Sequence, residues 1–313
     1  MTNPIDTLVA AGRARPNAEL APLTTYKLGG PARWLVEAAS EEDVVTAARA
    51  ATAVGVDLLV LGRGSNLVIA DSGFNGLVIR LVGGLTTVEL EPSGDVRAGA
   101  GASLPVVARH AARWGRGGLE FFVGVPGSVG GAVRMNAGCH GRETVDVLLD
   151  ARVVDVKAGT VEDRPAESLG LGYRNSALGP TDVVIGARFK TEAGTVEAAE
   201  AEMRQVTRWR RLHQPGGTLN AGSVFANPPG DTAGRIIDHL GLKGFRVGGA
   251  AVSTKHANFF VAGAGATAQD VHDLVWAVRR RVGDATGVWL RPEIRFAGEF
   301  ASSTDDPTDG DAQ

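Results

Sequence analysis

Three glycine-rich stretches are the parts of this sequence whose residue types most directly suggest chemistry. They are Leu28–Ala32, Leu61–Leu67, and Gly124–Ala132 running into Met135–Gly138. Because glycine has no Cβ, its backbone N–H groups can approach a phosphate or an aromatic ring closely. Ser65 and Asn66 add side-chain donors, so Gly62–Asn66 is a candidate cradle for a pyrophosphate. Each stretch taken alone fits a tight turn between strands equally well.

Several common kinds of site are excluded by the same sequence. No glycine-rich stretch ends in Gly-Lys-Ser/Thr, and none opens a helix as Gly-x-Gly-x-x-Gly after the first strand, which argues against a P-loop and against a Rossmann fold. The His residues show no paired metal-ligand spacing, which indicates that no metal site is present. The lone Cys139 is interpreted as a small buried side chain rather than a nucleophile.

Polar residues in the second half could also carry chemistry, but their patterns alone leave their roles open. Arg291, Glu293 and Arg295 share one face of a predicted strand, which also fits an exposed ladder of charges. Ser223 and Arg174 fit polar turns as well as a reactive site. Three further residues fit the protein surface or core equally well: Tyr173, Asn227 and Lys243.

Alternating strands and amphipathic helices are predicted to position these residues. Ser40 with three acidic residues after it is typical of a helix N-cap, and this helix is predicted to end at Gly55. Thr195 and Thr267 are predicted to cap two long helices. Shorter helices are predicted over Leu104–Trp114 and near Asp231–Leu240. Strands are predicted over Asp57–Leu61, Leu77–Leu81, Val88–Leu90, Val96–Ala98, Ala151–Val156, Val183–Phe189 and Val288–Phe296.

The composition of the 313 residues is that of a globular protein, with 44% hydrophobic and 21% charged residues. A net charge of -3 argues against a nucleic-acid partner. We find no apolar stretch long enough to span a membrane and no basic leader, and a single cysteine fits a reducing compartment, so a cytoplasmic protein without a membrane partner is predicted. The 43 glycines are nearly twice the usual fraction of about 7%.

Taken together, the motifs resemble those of the UDP-N-acetylenolpyruvoylglucosamine reductase (MurB) family of peptidoglycan precursor synthesis. The resemblance runs in order over about residues 20–298, and any one motif is weak whereas the ordered set is highly specific. The short interval between Arg174 and Ser223 is similar to the type II branch. The matching stretches are Thr24–Ala32, Leu61–Leu67, Val125–Gly131, Met135–Gly138, Gly172–Ser176, Ala221–Phe225, Gly241–Gly244, Ser253–Phe259 and Arg291–Phe296.

The resemblance implies an α+β protein with an FAD-binding fold of the vanillyl-alcohol-oxidase (PCMH) type and a C-terminal α/β substrate-binding domain. The FAD-binding domain is expected over residues 15–194, in two lobes of about 15–83 and 84–194, and the substrate-binding domain over 195–300. Residues 301–313 are expected to be a disordered acidic tail. A monomer is expected.

The implied reaction is the NADPH-dependent reduction of UDP-N-acetylglucosamine enolpyruvate to UDP-N-acetylmuramate, with non-covalent FAD as cofactor and NADPH as co-substrate. Ser223 would donate a proton to the α-carbon, Arg174 would bind the substrate carboxylate, and Glu293 would orient the site or stabilise the enol-like intermediate. The implied substrate-binding residues are Tyr173, Asn227 and Lys243. The implied cofactor-binding residues are Gly29, Gly30, Gly62, Arg63, Gly64, Ser65, Asn66, Pro126, Gly127, Ser128, Gly130, Gly131 and Asn136.

One departure from the family pattern is Ala226, where the family usually has Lys after the Phe. Two alternatives to the reductase remain open from the sequence. One is another flavin oxidase or dehydrogenase of the same fold, from which Ser223, Arg174, Lys243 and Glu293 would distinguish the reductase. The other is a binding protein without catalysis that holds a nucleotide in the glycine loops, and a colourless purified protein would favour it.

Overall fold

The computed structural model describes residues 3–301, so the acidic tail predicted for residues 301–313 lies outside the described residues except for Ala301. The α-helices are α1 (Pro4–Ala10), α2 (Glu41–Val54), α3 (Leu104–Arg113), α4 (Val129–Met135), α5 (Val196–His213), α6 (Ala233–His239) and α7 (Ala268–Thr286). The strands are β1 (Arg15–Glu19), β2 (Pro31–Ala38), β3 (Leu58–Leu61), β4 (Leu67–Ile69), β5 (Phe74–Leu81), β6 (Val88–Leu90), β7 (Val96–Gly99), β8 (Arg116–Gly117), β9 (Gly138–Cys139), β10 (Arg142–Glu143), β11 (Leu148–Asp155), β12 (Thr160–Pro165), β13 (Asp182–Phe189), β14 (Glu192–Ala193), β15 (Arg246–Val247), β16 (Ala250–Val252), β17 (Phe260–Ala262) and β18 (Arg295–Ala297).

The helix boundaries are set by local capping residues. The Ser40 side chain accepts a hydrogen bond from the Asp43 N–H, the Asp43 side chain accepts one from Ser40, and α2 ends at Gly55 with a φ of 73°. Thr267 and Asp270 form the same reciprocal pair at the start of α7. Thr195 accepts from the Ala198 N–H at 3.2 Å at the start of α5. All three predicted caps are confirmed.

The chain divides into two compact units that are discontinuous in sequence. Unit 1 contains residues 3–18, 32–63 and 75–212, and unit 2 contains residues 19–31, 64–74 and 213–301. A single boundary near residue 194 does not describe this division, since α5 belongs almost entirely to unit 1. The assignment of residues 195–300 to a separate substrate-binding domain stays a prediction.

Unit 1 contains two sheets. The first has the strand order β1-β2-β5-β3, with β3 and β5 parallel and Leu59 opposite Val78. The second is antiparallel, with the order β12-β11-β13-β7-β6. Helix α3 buries one face, at the spacing expected for an amphipathic helix, through Leu104, Val107, Ala108, Ala111 and Ala112. At the start of this helix the Leu104 N–H donates to the Gly127 carbonyl at 3.1 Å, in the loop that precedes α4.

Unit 2 surrounds α7 with a three-stranded antiparallel sheet, β15-β16-β17, and with the parallel pair β4 and β18. The apolar face of α7 is buried as predicted, through Val271, Leu274, Val275, Val278 and Val282. Tyr26 and Val68 belong to the same core, although they precede the rest of this unit by more than a hundred residues in the sequence. Unit 2 therefore depends on three separate chain segments.

The prediction of a strand over Val288–Phe296 is wrong in extent, because the strand is limited to Arg295–Ala297. Pro292 lacks an N–H for a continuous ladder, and the preceding residues instead make isolated contacts with the segment Val224–Ala226. The hairpin predicted for Val88–Leu90 and Val96–Ala98 is confirmed as β6 and β7. Among residues 3–301, no helix is both long and apolar enough to cross a membrane.

Candidate functional site

The predicted site residues fall into two groups, one in each unit. Unit 1 contains Gly62, Arg63, Pro126, Gly127, Ser128, Gly130, Gly131, Asn136, Tyr173 and Arg174. Unit 2 contains Gly29, Gly30, Gly64, Ser65, Asn66, Ser223, Asn227, Lys243 and Glu293. The loop 62–66 thus contributes to both units.

In unit 1, two predicted cofactor loops lie against each other. Gly62 directly follows β3, and a Cβ at this position would lie 2.3 Å from Ser128 Oγ. Ser128 caps α4, and its Oγ accepts a hydrogen bond from the Gly131 N–H at 3.4 Å. Only glycine at position 62 permits this approach.

Gly131 is a different case, because a Cβ there would meet nothing nearer than Ser128 Oγ at 3.5 Å. Gly131 and the neighbouring Pro126 are exposed, so protein packing does not account for the glycine. The exposed first turn of α4 at this point leaves room for a flat or phosphorylated group. The residues present therefore fit a nucleotide cofactor such as FAD.

In unit 2, the glycines of the remaining predicted loops are required by close backbone packing. A Cβ at Gly30 would lie 2.3 Å from the Asp71 carbonyl oxygen. Gly64 has a φ of 58°, and a Cβ there would lie 2.6 Å from the Leu23 carbonyl oxygen. The Gly64 carbonyl in turn accepts the Thr25 N–H at 3.1 Å. These contacts hold the segment 64–66 in a defined conformation.

Arg174 lies in a polar cluster of unit 1 with its backbone at a φ of 55°, which is uncommon for any residue other than glycine. Its Nη1 donates to Glu143 Oε1 at 3.0 Å, and its Nη2 donates to the Gly138 carbonyl at 3.2 Å. The Arg174 side chain is only 16% exposed. Its guanidinium also lies 4.8 Å from the ring centroid of Tyr173. A guanidinium held this way can bind a carboxylate in a fixed orientation.

In unit 2, the backbone brings the segments of Ser223 and Glu293 together. The Glu293 N–H donates to the carbonyl of Val224, the residue after Ser223, at 2.7 Å. The Asn66 side chain donates to the Glu293 carbonyl at 3.0 Å, so a residue of the second glycine loop also contacts this segment. A hydroxyl and a carboxylate on adjacent segments can supply and stabilise a proton.

Lys243 and Asn227 lie in unit 2 near helix α6. Lys243 Nζ donates to Asp238 Oδ2 at 2.6 Å, and Asn227 Oδ1 accepts the Ala233 N–H at 3.1 Å at the start of the helix. Burial of His256, together with the charge of Lys243, lowers the pKa of that imidazole below its usual value. This region therefore combines a cation with a neutral imidazole.

The lone cysteine is not activated. The Cys139 thiol donates to the Phe121 carbonyl at 3.0 Å, and burial raises the pKa of this thiol to about 11 despite the charges of Arg210 and Arg174. The thiol is therefore protonated at neutral pH, and a nucleophilic thiolate is not formed there.

Two residues of these clusters were not predicted from the sequence. Glu143 pairs with Arg174, and the buried Asn258 contacts the backbone of Phe225, two residues after Ser223. Asn258 lies within the matching stretch Ser253–Phe259, so the motif contained a signal for it. Glu143 follows the turn Cys139–Arg142, and only its pairing across β9 and β10 relates it to Arg174.

Comparisons with known proteins agree with the motifs. Residues 214–297 match the family model of the UDP-N-acetylenolpyruvoylglucosamine reductase C-terminal domain, and residues 32–163 match that of an FAD binding domain. The chain is 43% identical over 287 residues to the UDP-N-acetylenolpyruvoylglucosamine reductase of Acidiphilium cryptum strain JF-5, covering 92% of each chain. It is 44% identical over 293 residues to that of Methylorubrum extorquens strain PA1, covering 93% of this chain and 94% of the relative.

A solved structure is also similar to this chain. The crystal structure of UDP-N-acetylenolpyruvylglucosamine reductase (MurB) from Thermus caldophilus has a TM-score of 0.78 and 39% sequence identity, covering 90% of this chain and 98% of that one. With the FAD binding domain match, this similarity confirms the predicted fold class, α+β with an FAD-binding fold of the vanillyl-alcohol-oxidase type and a C-terminal domain.

Proposed function

Since this chain belongs to the UDP-N-acetylenolpyruvoylglucosamine reductase family and is an FAD-dependent oxidoreductase, we propose that it reduces UDP-N-acetylglucosamine enolpyruvate to UDP-N-acetylmuramate with NADPH. The product would enter peptidoglycan precursor synthesis. The observation that most directly supports this proposal is the pairing of the Glu293 N–H with the Val224 carbonyl at 2.7 Å, beside Ser223. It brings together the backbone of the two residues assigned to proton chemistry.

The cofactor would be held by the glycine loops. When bound, FAD supplies the hydride chemistry between the reduced nicotinamide and the enolpyruvyl double bond. The exposed first turn of α4 at Gly131, with Gly62 and Ser128 beside it, offers space for the cofactor. No role for a thiolate is required, because the Cys139 thiol stays protonated. The FAD is accordingly expected to be non-covalent.

The roles of the remaining site residues are assigned from the negative charge that develops on the substrate during the reaction. Hydride addition to the β-carbon places negative charge on the α-carbon and its carboxylate, so the substrate needs a cation and a proton donor. We assign the carboxylate to the guanidinium of Arg174 and the proton to the hydroxyl of Ser223. Glu293 orients this proton transfer. Lys243 and Asn227 are assigned to the UDP group, for which a cation and an amide are suitable partners.

The lone protonated cysteine agrees with a reducing compartment, and we propose that the enzyme acts in the cytoplasm. A monomer is the simplest assembly consistent with these assignments, since the residues assigned to the reaction all belong to one chain.

The Ser223→Ala variant tests the central assignment by separating the two half-reactions. Hydride delivery from NADPH needs no proton from Ser223, so bleaching of the flavin absorbance should proceed at a near-normal rate. Reoxidation by the enolpyruvyl substrate should slow by about 10²- to 10⁴-fold, the usual contribution of a general acid. Stopped-flow absorbance with each reactant in turn measures both rates.

The matched control is Ser168→Ala, which changes an exposed serine of unit 1 that bonds only locally to Pro165. This variant should keep both rates. An unchanged reoxidation rate in Ser223→Ala would show that another group supplies the proton. Equal slowing of both steps would indicate general damage to the cofactor site.

A further inference from the structure

The carboxylate of Glu143 joins Arg174 to a second polar side chain. One oxygen, Oε1, accepts from Arg174 Nη1 at 3.0 Å, and the other, Oε2, accepts from Asn136 Nδ2 at 2.9 Å. Arg174 Nη1 also lies 3.4 Å from the Asn136 carbonyl oxygen. The three residues therefore form a closed arrangement in which the carboxylate satisfies donors from both partners.

The Asn136 side chain is itself fixed by the backbone. Asn136 is completely buried, its Oδ1 accepts the Val145 N–H at 2.9 Å, and its Nδ2 also donates to the Gly172 carbonyl at 3.0 Å. Both amide hydrogens are thus used within the protein. Because Gly172 lies two residues before Arg174, the same amide holds the chain segment that carries the arginine.

Backbone contacts also hold Glu143 in place. It lies opposite Gly138 in the short hairpin of β9 and β10, and its N–H donates to Asp146 Oδ2 at 2.7 Å. Gly138 is also the residue whose carbonyl accepts Arg174 Nη2. The hairpin therefore presents one carboxylate and one carbonyl oxygen to the same guanidinium.

The backbone conformation of Arg174, with its positive φ, indicates that the surrounding contacts impose the position of this residue. A positive φ at a residue other than glycine persists only where neighbouring contacts hold it, and such residues concentrate at functional sites. An arginine that formed only a surface ion pair would need no such conformation, since long exposed side chains adapt to their partners.

We propose that Glu143 is a positioning residue for Arg174: its carboxylate fixes the orientation of the guanidinium toward the carboxylate of the substrate. This inference rests on the proposed function, in which Arg174 binds that carboxylate. A guanidinium oriented before binding loses less freedom when the substrate arrives, and its two N–H groups meet the carboxylate in the paired geometry. Glu143 itself contacts neither the substrate nor the cofactor in this assignment.

The test is the Glu143→Gln variant. Its side chain keeps the length of Glu143 but presents an NH2 group to one of the two donors, so the bridge between Arg174 and Asn136 is broken. We expect flavin reduction by NADPH to stay within about twofold, and reoxidation by the enolpyruvyl substrate to slow on the order of 10- to 100-fold, as misplacement of a binding group does. The KM for this substrate should rise. Glu143→Asp keeps the charge and should recover part of the rate, and it replaces Glu143→Gln if that variant fails to fold.

Two further variants make the result specific. Glu91→Gln is the matched control, since Glu91 also pairs with arginines of unit 1, Arg97 and Arg188, but belongs to no predicted site. It should keep both rates. In an Arg174→Ala background, Glu143→Gln should change reoxidation by no more than about twofold, because a positioning residue has no effect once the residue it positions is removed.

The outcomes separate this inference from the proposed function. Normal reoxidation in Arg174→Ala would contradict the role of Arg174 itself, and the inference would be overturned with it. Slow reoxidation in Arg174→Ala with normal rates in Glu143→Gln would overturn the inference alone. Equal slowing by Glu143→Gln in both backgrounds, or a lower substrate KM, would also overturn it. The latter result would mean that Glu143 competes with the substrate for Arg174.

Discussion

Two hydrogen bonds of the Glu293 main chain hold this residue in unit 2. Its N–H bonds to the Val224 carbonyl and its carbonyl accepts from Asn66, so neither contact involves the carboxylate. The Glu293→Gln variant keeps both main-chain hydrogen bonds and the length of the side chain, so we expect its FAD content and its free energy of unfolding to stay near those of the wild type. Turnover should fall by about 10²-fold or more, because the charge that orients proton transfer is lost. Steady-state assays and denaturant titration measure both effects.

The control for this variant is Glu299→Gln, an exposed residue of the same unit, which should keep full activity. Normal turnover in Glu293→Gln would instead favour the simple interpretation of Arg291, Glu293 and Arg295 as a charge ladder. The structure already limits that interpretation, since β18 starts only at Arg295 and the three residues do not share one strand.

The sequence predicted the site residues that lie in recognisable motifs but not the residues that hold them in place. Ser223, Arg174 and Glu293 each stand in a matching stretch, and their proposed roles follow from the chemistry of their side chains. Glu143 became visible only through the hairpin of β9 and β10, because its partners Asn136 and Arg174 are brought to it by backbone pairing and by a positive φ. Such contacts leave no periodic signal in the sequence.

At the scale of secondary-structure elements, the helix caps were predicted correctly, whereas one strand of the first sheet was missed. The caps at Ser40, Thr195 and Thr267 depend on residues within one turn, and all three were predicted. Strand β2 (Pro31–Ala38) was not predicted, although it is eight residues long and lies between β1 and β5 in its sheet. Its pairing partners lie elsewhere in the chain, and the glycines just before it suggested a loop instead.

The segment Ser223–Phe225 offers a test at this scale, because a side chain takes the place of a neighbouring strand. Asn258 is only 3% exposed, its Oδ1 accepts the Phe225 N–H at 3.0 Å, and its Nδ2 donates to the Phe225 carbonyl at 2.8 Å. Asn258→Ala would leave both buried backbone groups without this partner. We expect a loss of about 2–4 kcal/mol in the free energy of unfolding, measured by denaturant titration.

Asn75→Ala is the corresponding control, since the side chain of this exposed asparagine accepts a hydrogen bond from a surface arginine, Arg33, at 3.4 Å. It should cost no more than about 0.5 kcal/mol. A similar small loss in Asn258→Ala would mean that the Phe225 backbone finds other partners at little cost, and that the segment holding Ser223 does not depend on this amide.

For the whole molecule, the fold class was predictable because the ordered motifs define it, whereas the division into units was not. Three separated segments form unit 2, and two of their ends, at residues 31 and 64, fall inside glycine-rich stretches that were interpreted as tight turns or cofactor loops. The segments containing Tyr26 and Val68 were predicted as parts of the FAD-binding domain, yet both residues lie in the core around α7.

Tyr26 makes the stability of this core sensitive to alkaline pH. Its hydroxyl donates to the Phe260 carbonyl at 3.0 Å, and burial raises the pKa of Tyr26 above its usual value. The folded state therefore retains this proton at a pH where the unfolded state loses it. The stabilisation is complete below about pH 10 and is lost as pH rises toward the folded-state pKa, by about 1.4 kcal/mol per pH unit.

Tyr26→Phe should remove this contribution to the pH dependence, at a cost near neutral pH of about 1 kcal/mol for the lost hydrogen bond. Denaturant titrations between about pH 8 and about pH 11, roughly two units below and one unit above the usual tyrosine pKa, measure the difference. Tyr173→Phe changes the other tyrosine of the chain, which is 45% exposed, and should keep the wild-type slope. Parallel curves for wild type and Tyr26→Phe would contradict the assignment.

The three-segment construction of unit 2 has a consequence for how the protein is made. Asn66 and Glu293 are 227 residues apart, and β4 can pair with β18 only after nearly the whole chain has left the ribosome. At a synthesis rate of about 5–20 residues per second, the rest of this core is made on the order of ten seconds or more after Tyr26 and Val68. During that time the nascent chain exposes apolar surface. We therefore expect Tyr26 and Val68 to need protection during synthesis, although each is only 1% exposed once folding is complete.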